Sequence, residues 1–486
     1  MHGDFSRQTF QAADHFAAVL FQQGRVQLDA DFNEHARIML HYLRTVVADI
    51  VGPAAAPKRD AGFEIRVVKG DDGKIAELAI GPGRMYVDGL LVENDGGDRD
   101  DDTTWTGYWN QPDGFLDPDA PGDQLPQGKP FVAYLRVWEQ LVNSVQAPRI
   151  REVALGDPGP DTAARARVVW QLATLPVTRD PGTRVVTVLA NRLAEAHPRP
   201  GRMVARARRP HDVDADPCHL PPEARFRGPE NQLYRIEVHS GGPAAVLPEQ
   251  GRRKALSGAT FKWSRENGSV VFPVVSVSGN QVRLASLGRD GKLGLEIGDW
   301  VELTDDAVAA RVADDRDLTT VQRAPALLRV TAIDADSRTV TLSGRTPGEC
   351  GMHRSRHPML RRWDHSAPTR YDSDKQNIAA DGALPIVENV WIAVEDGLEV
   401  LFTPPRSQPM PSDGDNDRVT GTYRPGDHWI FAARTVTGDI EWPQGEDGPI
   451  PRLPDGVRYH YAALAFIDGQ GKATDRRHQF DHLPDA

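Results

Sequence analysis

The chain has 486 residues, which is too long for one ordinary hydrophobic core and predicts roughly two to four domains. Its formal net charge of −12 disfavours a nucleic-acid binder, because backbone phosphates would be repelled. The 38 prolines and 44 glycines indicate a turn-rich chain, and its two cysteines, Cys218 and Cys350, provide no disulfide framework.

The beginning of the sequence, MHGDFSRQTFQAADHF, contains neither a basic region nor an apolar run, so we expect no cleaved signal peptide. No apolar stretch approaches the ~20 residues that span a bilayer. The scarce cysteines fit a reducing compartment. Together these features predict a soluble, cytoplasmic protein without a membrane span.

The front of the chain, residues 1–55, predicts an extended polar arm and one long helix. The helix is predicted within FQQGRVQLDADFNEHARIMLHYLRTVVADIVG (21–52), with Asp31 as its N-cap, Glu34 three residues later and Gly52 at its end. Its apolar positions recur at spacings of 4, 3, 4, 3 and 4, the stripe typical of helix pairing. The stripe consists of Phe32, Ala36, Met39, Leu43, Val46 and Ile50.

Two interpretations of this helix stay open. In the first, Leu40, Tyr42 and Val47 widen the apolar face, and the helix packs on the protein's own β-domain. In the second, the helix meets copies of itself in a symmetric assembly. We predict that the arm and helix carry assembly contacts, while the β-domains serve as a spacer or contact surface.

After the helix, β-patterning dominates and predicts a mainly β, multi-domain fold with sandwich-like or barrel-like domains. Asp88-Gly89 and Asn267-Gly268 each predict a tight hairpin turn, because these residue types tolerate positive φ. Short strands parted by turns predict a small SH3-like barrel. The predicted division is an arm and helix at 1–55, a β-domain at 56–212 with an acidic loop at 94–123, a β-hairpin core segment at 213–278, the SH3-like barrel at 279–346, and a C-terminal β-domain at 347–486.

The acidic loop contains three aromatic residues, Trp105, Tyr108 and Trp109. Exposed rings in such a loop can stack on sugars or dock a partner protein. The alternative is an aromatic cluster that pins the loop to its own domain. Solvated charge explains the many aspartates of this loop better than a Ca²⁺ site does.

The sequence contains no recognisable catalytic motif, including G-x-S-x-G, the P-loop, G-x-G-x-x-G and H-E-x-x-H. The best metal-site candidate is the run Cys350, His353 and His357, with His365 following. Arginines crowd this run, and the other cysteine, Cys218, lies 132 residues away. We therefore expect no metal, no cofactor and no enzymatic activity.

Two runs of alternating aspartates imitate the start of a calcium-binding loop. They lie at 212–216 and 413–417, where Pro217 and Arg418 interrupt the required pattern. Both runs indicate solvated turns.

Five strings of the sequence resemble a family of bacterial proteins whose function is uncharacterised. They are MHGDFSRQTF, QQGRVQLDADFNE, PENQLYRIEVHSGG, ATFKWSRENGSVV and GDHWIFAARTVTGDIEWP, and they are spread from residue 1 to about 443. The resemblance implies an association with phage-tail-like contractile injection systems, and a baseplate, spike-adjacent or fibre-like structural component. Because the family has no established catalytic residues, the resemblance assigns no catalytic role to any residue of this chain.

The sequence therefore leaves two functions open. The first is a structural subunit of a phage-tail-like particle that assembles in the cytoplasm, with other particle subunits and copies of itself as partners. The second is a glycan-binding fibre or a surface-acting carbohydrate enzyme that uses the aromatic, acidic loop. Without an identifiable acid/base pair, glycan binding is favoured over cleavage within the second hypothesis.

Overall fold

The fold is mainly β and contains several sheets. In the computed structural model, the described residues are 2–156, 160–184, 187–188, 191, 200–208, 226–245, 258–311, 325–346, 348–365, 379, 382–405, 420–446 and 448–481. The longest helix in them is α1 (Asp29–Val51), and a shorter helix is α2 (Asp306–Arg311). Short 3-10 helices occupy Ala12–Asp14, Lys58–Asp60, Asp102–Thr104, Tyr108–Asn110, Pro148–Ile150, Val153–Leu155, Gly182–Arg184 and Arg354–Arg356.

Three sheets surround the core nearest to α1. The first sheet has the order β29 (Gln479–Phe480), β1 (Ala54–Pro57), β4 (Gly83–Val87) and β5 (Leu90–Asn94). The second has the order β28 (Ala473–Asp475), β27 (His460–Ile467), β7 (Phe131–Val142) and β8 (Arg165–Pro176). The third has the order β2 (Ile65–Lys69), β3 (Ile75–Ile80) and β6 (Thr106–Gly107).

These three sheets and their shared core form the first unit of the fold, and strands at the end of the chain complete it. β27 pairs antiparallel with β7, and β29 pairs parallel with β1. Leu464 of β27 is buried in the same core as Leu135 of β7. Strand pairing therefore joins residues that the sequence-based division assigns to different domains.

A second core lies between a five-stranded and a three-stranded sheet. It is rich in aromatic residues, and Trp263, Phe402 and Trp429 are almost fully buried in it. The five-stranded sheet has the order β19 (Leu384–Pro385), β12 (Thr260–Ser264), β10 (Gln232–Val238), β23 (His428–Arg434) and β24 (Asp439–Ile440). The three-stranded sheet has the order β20 (Trp391–Ala393), β21 (Leu398–Thr403) and β9 (Arg202–Ala207). Two short ladders pair β11 (Gly242–Pro243) with β22 (Thr422–Tyr423) and β25 (Gln444–Gly445) with β26 (Gly448–Pro449).

Six strands close into a barrel around a third, aliphatic core. Their order is β13 (Val271–Ser278), β14 (Gln281–Leu284), β17 (Thr339–Leu342), β16 (Leu328–Asp334), β15 (Trp300–Thr304) and β18 (Met359–Trp363). The barrel strands thus begin before and end after the predicted range of 279–346.

The two predicted hairpin turns have different outcomes. Asp88 and Gly89 adopt φ of 46° and 77° between β4 and β5, which pair directly, so this hairpin is confirmed. Asn267 and Gly268 adopt φ of 48° and 64°, but the strands on either side do not pair with each other. The predicted hairpin is wrong at this position, because β12 stays in the five-stranded sheet while the turn sends β13 into the barrel.

Candidate functional site

The start of α1 depends on the arm that precedes it. The helix begins at Asp29, with Leu28 at the N-cap position and no side-chain cap, so the predicted capping pair Asp31 and Glu34 is wrong. The Asp29 carboxylate instead accepts a hydrogen bond from the Ser6 backbone N–H at 2.9 Å. Carboxylates in the first turn also interact favourably with the positive end of the helix dipole.

The other end of α1 is held against the first unit. The Gly52 N–H donates to the Ala48 carbonyl at 2.9 Å, and a φ of 86° ends the helix. Arg44 donates two hydrogen bonds to the Glu139 carboxylate, at 2.7 and 3.0 Å. The turn between β4 and β5 approaches so closely that a Cβ at Gly89 would overlap the Arg44 carbonyl. These contacts hold the C-terminal half of α1 against the first unit.

The face of α1 that meets the rest of the molecule is small and partly polar. Only Ala30 and Ile38 are fully buried in the helix. Glu34 on the same face accepts a hydrogen bond from the Thr9 hydroxyl of the arm. The inner face thus packs on the arm and on the β-sheets that follow α1, here called the body. The predicted apolar stripe is not part of this inner face.

The predicted stripe points away from the molecule. Phe32, Met39, Leu43 and Ile50 are 52%, 54%, 57% and 73% exposed. Ala36 and Val46 complete the stripe, the former exposed and the latter half-buried. At ~100° per residue, this stripe lies roughly opposite Ala30 and Ile38. The more apolar face of α1 is therefore its outer one.

The arm, residues 2–28, first enters the body and then returns along α1. The His2 Nε2 lies 2.8 Å from a carboxylate oxygen of the buried Glu237, and the Asn267 side chain donates to the Gly3 carbonyl at 2.8 Å. On the return path, the Phe21 ring packs on Phe32 with 5.0 Å between centroids. The arm thus contacts the inner face of the helix and, at Phe32, the beginning of its outer stripe.

Exposed apolar side chains are concentrated in this region. Of 21 large hydrophobic residues exposed in the described part of the chain, eleven lie between Phe16 and Ile50. We call the exposed apolar residues of 16–50 the arm–helix surface. Such a concentration of exposed apolar side chains is a feature of interaction surfaces. Its members are Phe16, Leu20, Phe21, Val26, Leu28, Phe32, Met39, Leu40, Tyr42, Leu43 and Ile50.

The aromatic residues of the acidic loop are anchored inward. Trp105 is 8% exposed, and its Nε1 donates to the Asp98 carbonyl at 2.9 Å. Tyr108 is 2% exposed, and its hydroxyl donates to the Asp123 carbonyl at 3.0 Å. Trp109 is half-buried. The glycan-binding hypothesis stays a prediction, and neither Trp105 nor Tyr108 offers it an exposed ring.

The Cys/His run is engaged in separate local contacts. The Cys350 thiol is buried, which raises its pKa to about 12. His353 lies 3.4 Å from Glu349, and the His357 Nδ1 lies 2.7 Å from an Asp306 oxygen. Among the residues that the structure describes, no three His, Cys, Asp or Glu side chains are grouped as ligands for a metal.

His365, which follows the run, is buried elsewhere. Its Nε2 lies 2.9 Å from the Gly382 carbonyl, and its ring stacks on Trp300. Burial lowers the pKa of His365 to about 4. Cys218 and the aspartate runs at 212–216 and 413–417 lie outside the described residues.

A buried ionic cluster that the sequence pattern did not predict joins the five-stranded sheet to the barrel. The Lys262 Nζ of β12 lies 2.8 and 2.9 Å from the two carboxylate oxygens of Glu302 on β15, and 3.4 Å from Glu237 on β10. The Trp363 Nε1 donates to Glu302 at 3.0 Å. Burial alone would raise the pKa of Glu302, but the charge of Lys262 and its hydrogen bond, together with His239, hold the pKa below its ordinary value. The alternation in NQLYRIEVHS placed Glu237 on a face without showing what covers that face.

A cavity of about 340 Å³ lies where β7 and β8 approach α2. The His357–Asp306 pair lies on its wall, and Arg167 there is bound to Asp113 at 2.7 Å. Its lining residues include no serine, threonine or cysteine. The lining is Val142, Gln146, Ala147, Pro148, Arg149, Arg167, Asp306 and His357.

These features define a multi-sheet β protein whose most distinctive surface is an outward-facing apolar arm and helix. The chain belongs to DUF6519, a family of unknown function, whose model matches it twice, at residues 1–180 and 176–483. Neither the curated proteins nor the solved structures contain a significant match. Within the described part of the chain, no helix combines the length and apolar character needed to cross a membrane.

Proposed function

We propose that the protein is a structural subunit of a phage-tail-like contractile injection particle, in a baseplate, spike-adjacent or fibre-like position. It acts by protein–protein assembly, with other subunits and further copies of itself as partners, and it assembles in the cytoplasm. The observation that carries the assembly role is the arm–helix surface, and the kind of particle is what the sequence resemblance implies. A chain that operates alone would expose apolar area there at a cost in solubility, whereas a subunit buries it.

The outer stripe of α1 gives the proposal its energetic basis. Burying one side chain such as Leu43 contributes roughly 1.5–3 kcal/mol. Met39 and Ile50 are similarly exposed, so the stripe supplies several such contributions in one contact. In a symmetric particle each contribution is repeated at every copy.

The rest of the molecule fits the role of a rigid spacer. The ionic cluster around Lys262 connects the barrel to the five-stranded sheet, and the last strands close the first unit. We assign the closed barrel to the small SH3-like type, as a contact module of the subunit. Its six short strands and aliphatic core support this assignment.

The proposal is tested with the tagged full-length protein in the bacterium that produces it. High-molecular-mass particles are isolated by sedimentation and examined by electron microscopy with a label on the tag. We expect the wild-type protein on tail-like particles. The double variant Met39→Asp/Leu43→Asp should be folded but missing from them, because unpaired charge enters the contact.

The matched control is Val436→Asp, because Val436 is 94% exposed and lies in the turn between β23 and β24. This variant should join particles normally. Label on no tail-like particle contradicts the proposed function. Normal incorporation of the double variant contradicts the role of the α1 stripe.

A further inference from the structure

We infer that the outer stripe of α1 packs against α1 of a second copy of this chain, and that the two helices run antiparallel. This inference rests on the proposed function, because it names the partner of the same surface. It goes further by fixing the orientation of the two copies and the residues that meet.

The spacing of the stripe indicates that its partner is a helix. Exposed apolar residues at alternating spacings of four and three fill the a and d positions of heptads, and such a seam accepts the side chains of another helix. α1 spans 23 residues, whereas α2 spans only six. The longest helix in the described part of the chain is thus the fitting partner for itself.

The position of the stripe leaves room for a second copy. Ala30 and Ile38 face the body, and the stripe lies on the opposite side of the helix, where Phe21 of the arm contacts it only at Phe32 among the described ring contacts. When two stripes meet, the two bodies lie on the outer sides of the helix pair. A two-fold axis through the seam relates the copies, and this isologous contact closes on itself.

The sizes of the side chains favour the antiparallel orientation. A parallel pair would place Ala36 against Ala36 of the second copy and leave a void, while Phe32 met Phe32 and crowded the same seam. An antiparallel pair centred near residue 41 combines small with medium and large with medium side chains. Its layers are Phe32 with Ile50, Ala36 with Val46, and Met39 with Leu43.

The flanking residues support the same orientation. In the antiparallel pair, His35 lies opposite Asp49 of the second copy on both sides of the axis, and the two partners can share a hydrogen bond. Leu40 and Tyr42 each meet their own counterpart near the axis and widen the apolar seam. In a parallel pair His35 would face Leu40 instead. All four residues are exposed in the single chain.

Cross-linking through single cysteines tests the orientation on the purified full-length protein. Cys218 is replaced by serine, and either Leu40→Cys or Phe32→Cys is added. We expect mild oxidation to link most Leu40→Cys chains into covalent dimers and to leave Phe32→Cys chains unlinked. Efficient linking of Phe32→Cys alone would show a parallel pair and overturn the inference.

Introducing a second carboxylate tests the flanking contact by sedimentation equilibrium. His35→Asp places two carboxylates opposite each other, so we expect the dimer dissociation constant to rise at least about tenfold. Adding Asp49→Lys to that variant should bring it back to within about threefold of the wild-type value. His353→Asp, the same change on a distant exposed histidine, should leave it unaltered.

The two levels of failure can be distinguished. A wild-type protein that is monomeric at every concentration tested, or that dimerises without linking through Leu40→Cys, overturns the antiparallel pair. The proposed function falls only if the labelled protein is missing from tail-like particles. Incorporation into particles without self-pairing would mean that the α1 stripe binds a different subunit.

Discussion

Histidines buried in the neutral form make the protein sensitive to acid at the scale of single residues. His365 has a pKa of about 4 in the folded protein, against about 6.5 when unfolded. Between these values the unfolded state binds the additional proton, so the free energy of unfolding falls as the pH is lowered from about 6.5 to 4. The contribution that is lost is up to about 3 kcal/mol.

We expect His365→Asn to flatten this pH dependence by about one proton. The asparagine side chain is polar but cannot take up a proton, so this position no longer binds one in the unfolded state. Urea unfolding at several pH values between 4 and 7 measures the slope. His15→Asn, on the exposed arm, should retain the wild-type slope, and an unchanged slope in His365→Asn would contradict the assignment.

Lys262 is the residue on which the buried ionic cluster depends. We expect Lys262→Met to lower the free energy of unfolding by about 3–5 kcal/mol, because the buried Glu302 would lose the cation that contacts both of its carboxylate oxygens, while Glu237 keeps Arg235 as a partner. Lys74→Met removes an exposed lysine paired with Asp72. This substitution should change the free energy of unfolding by less than about 0.5 kcal/mol. Equal effects in urea unfolding would show that the cluster is reached by solvent.

At the scale of elements, adjacent positions on α1 should respond in opposite ways. Ile38 is 5% exposed, so Ile38→Ala should lower the free energy of unfolding of the dilute monomer by about 2–5 kcal/mol. Met39 is 54% exposed, so Met39→Ala should change that value by less than about 0.5 kcal/mol and weaken association instead. Denaturant unfolding and sedimentation of both variants check this. A larger loss of stability in Met39→Ala would mean that the stripe is core.

At the scale of the whole molecule, the end of the chain should control the folding of its first unit. Leu464 of β27 is 1% exposed in a core formed mostly by residues before 180. We expect Leu464→Asp to destabilise this unit by several kcal/mol and to open residues 54–176 to proteolysis. Val436→Asp should leave their protease resistance intact. Retained resistance in Leu464→Asp would indicate that β7 and β8 fold without β27.

The sequence by itself determined those features that depend on neighbouring residues. Alternating β-runs predicted a mainly β chain, and Asp88-Gly89 predicted its hairpin, because turn geometry follows from the φ preferences of two adjacent residues. The 4-3-4-3-4 spacing identified the stripe of α1. It could not show whether Phe32 and Leu43 face the body or solvent, since spacing determines which residues share a face but not what that face meets.

Only the tertiary structure decided which strands pair and which charges meet. The Asn267-Gly268 turn is local, but the separation of β12 from β13 depends on their pairing with other strands, β10 and β18. The contact of Lys262 with Glu302 likewise joins two sheets. Burial supplies the physical reason for these arrangements: a strand or a charge takes its position from whatever excludes water around it, and residues distant in sequence provide that cover.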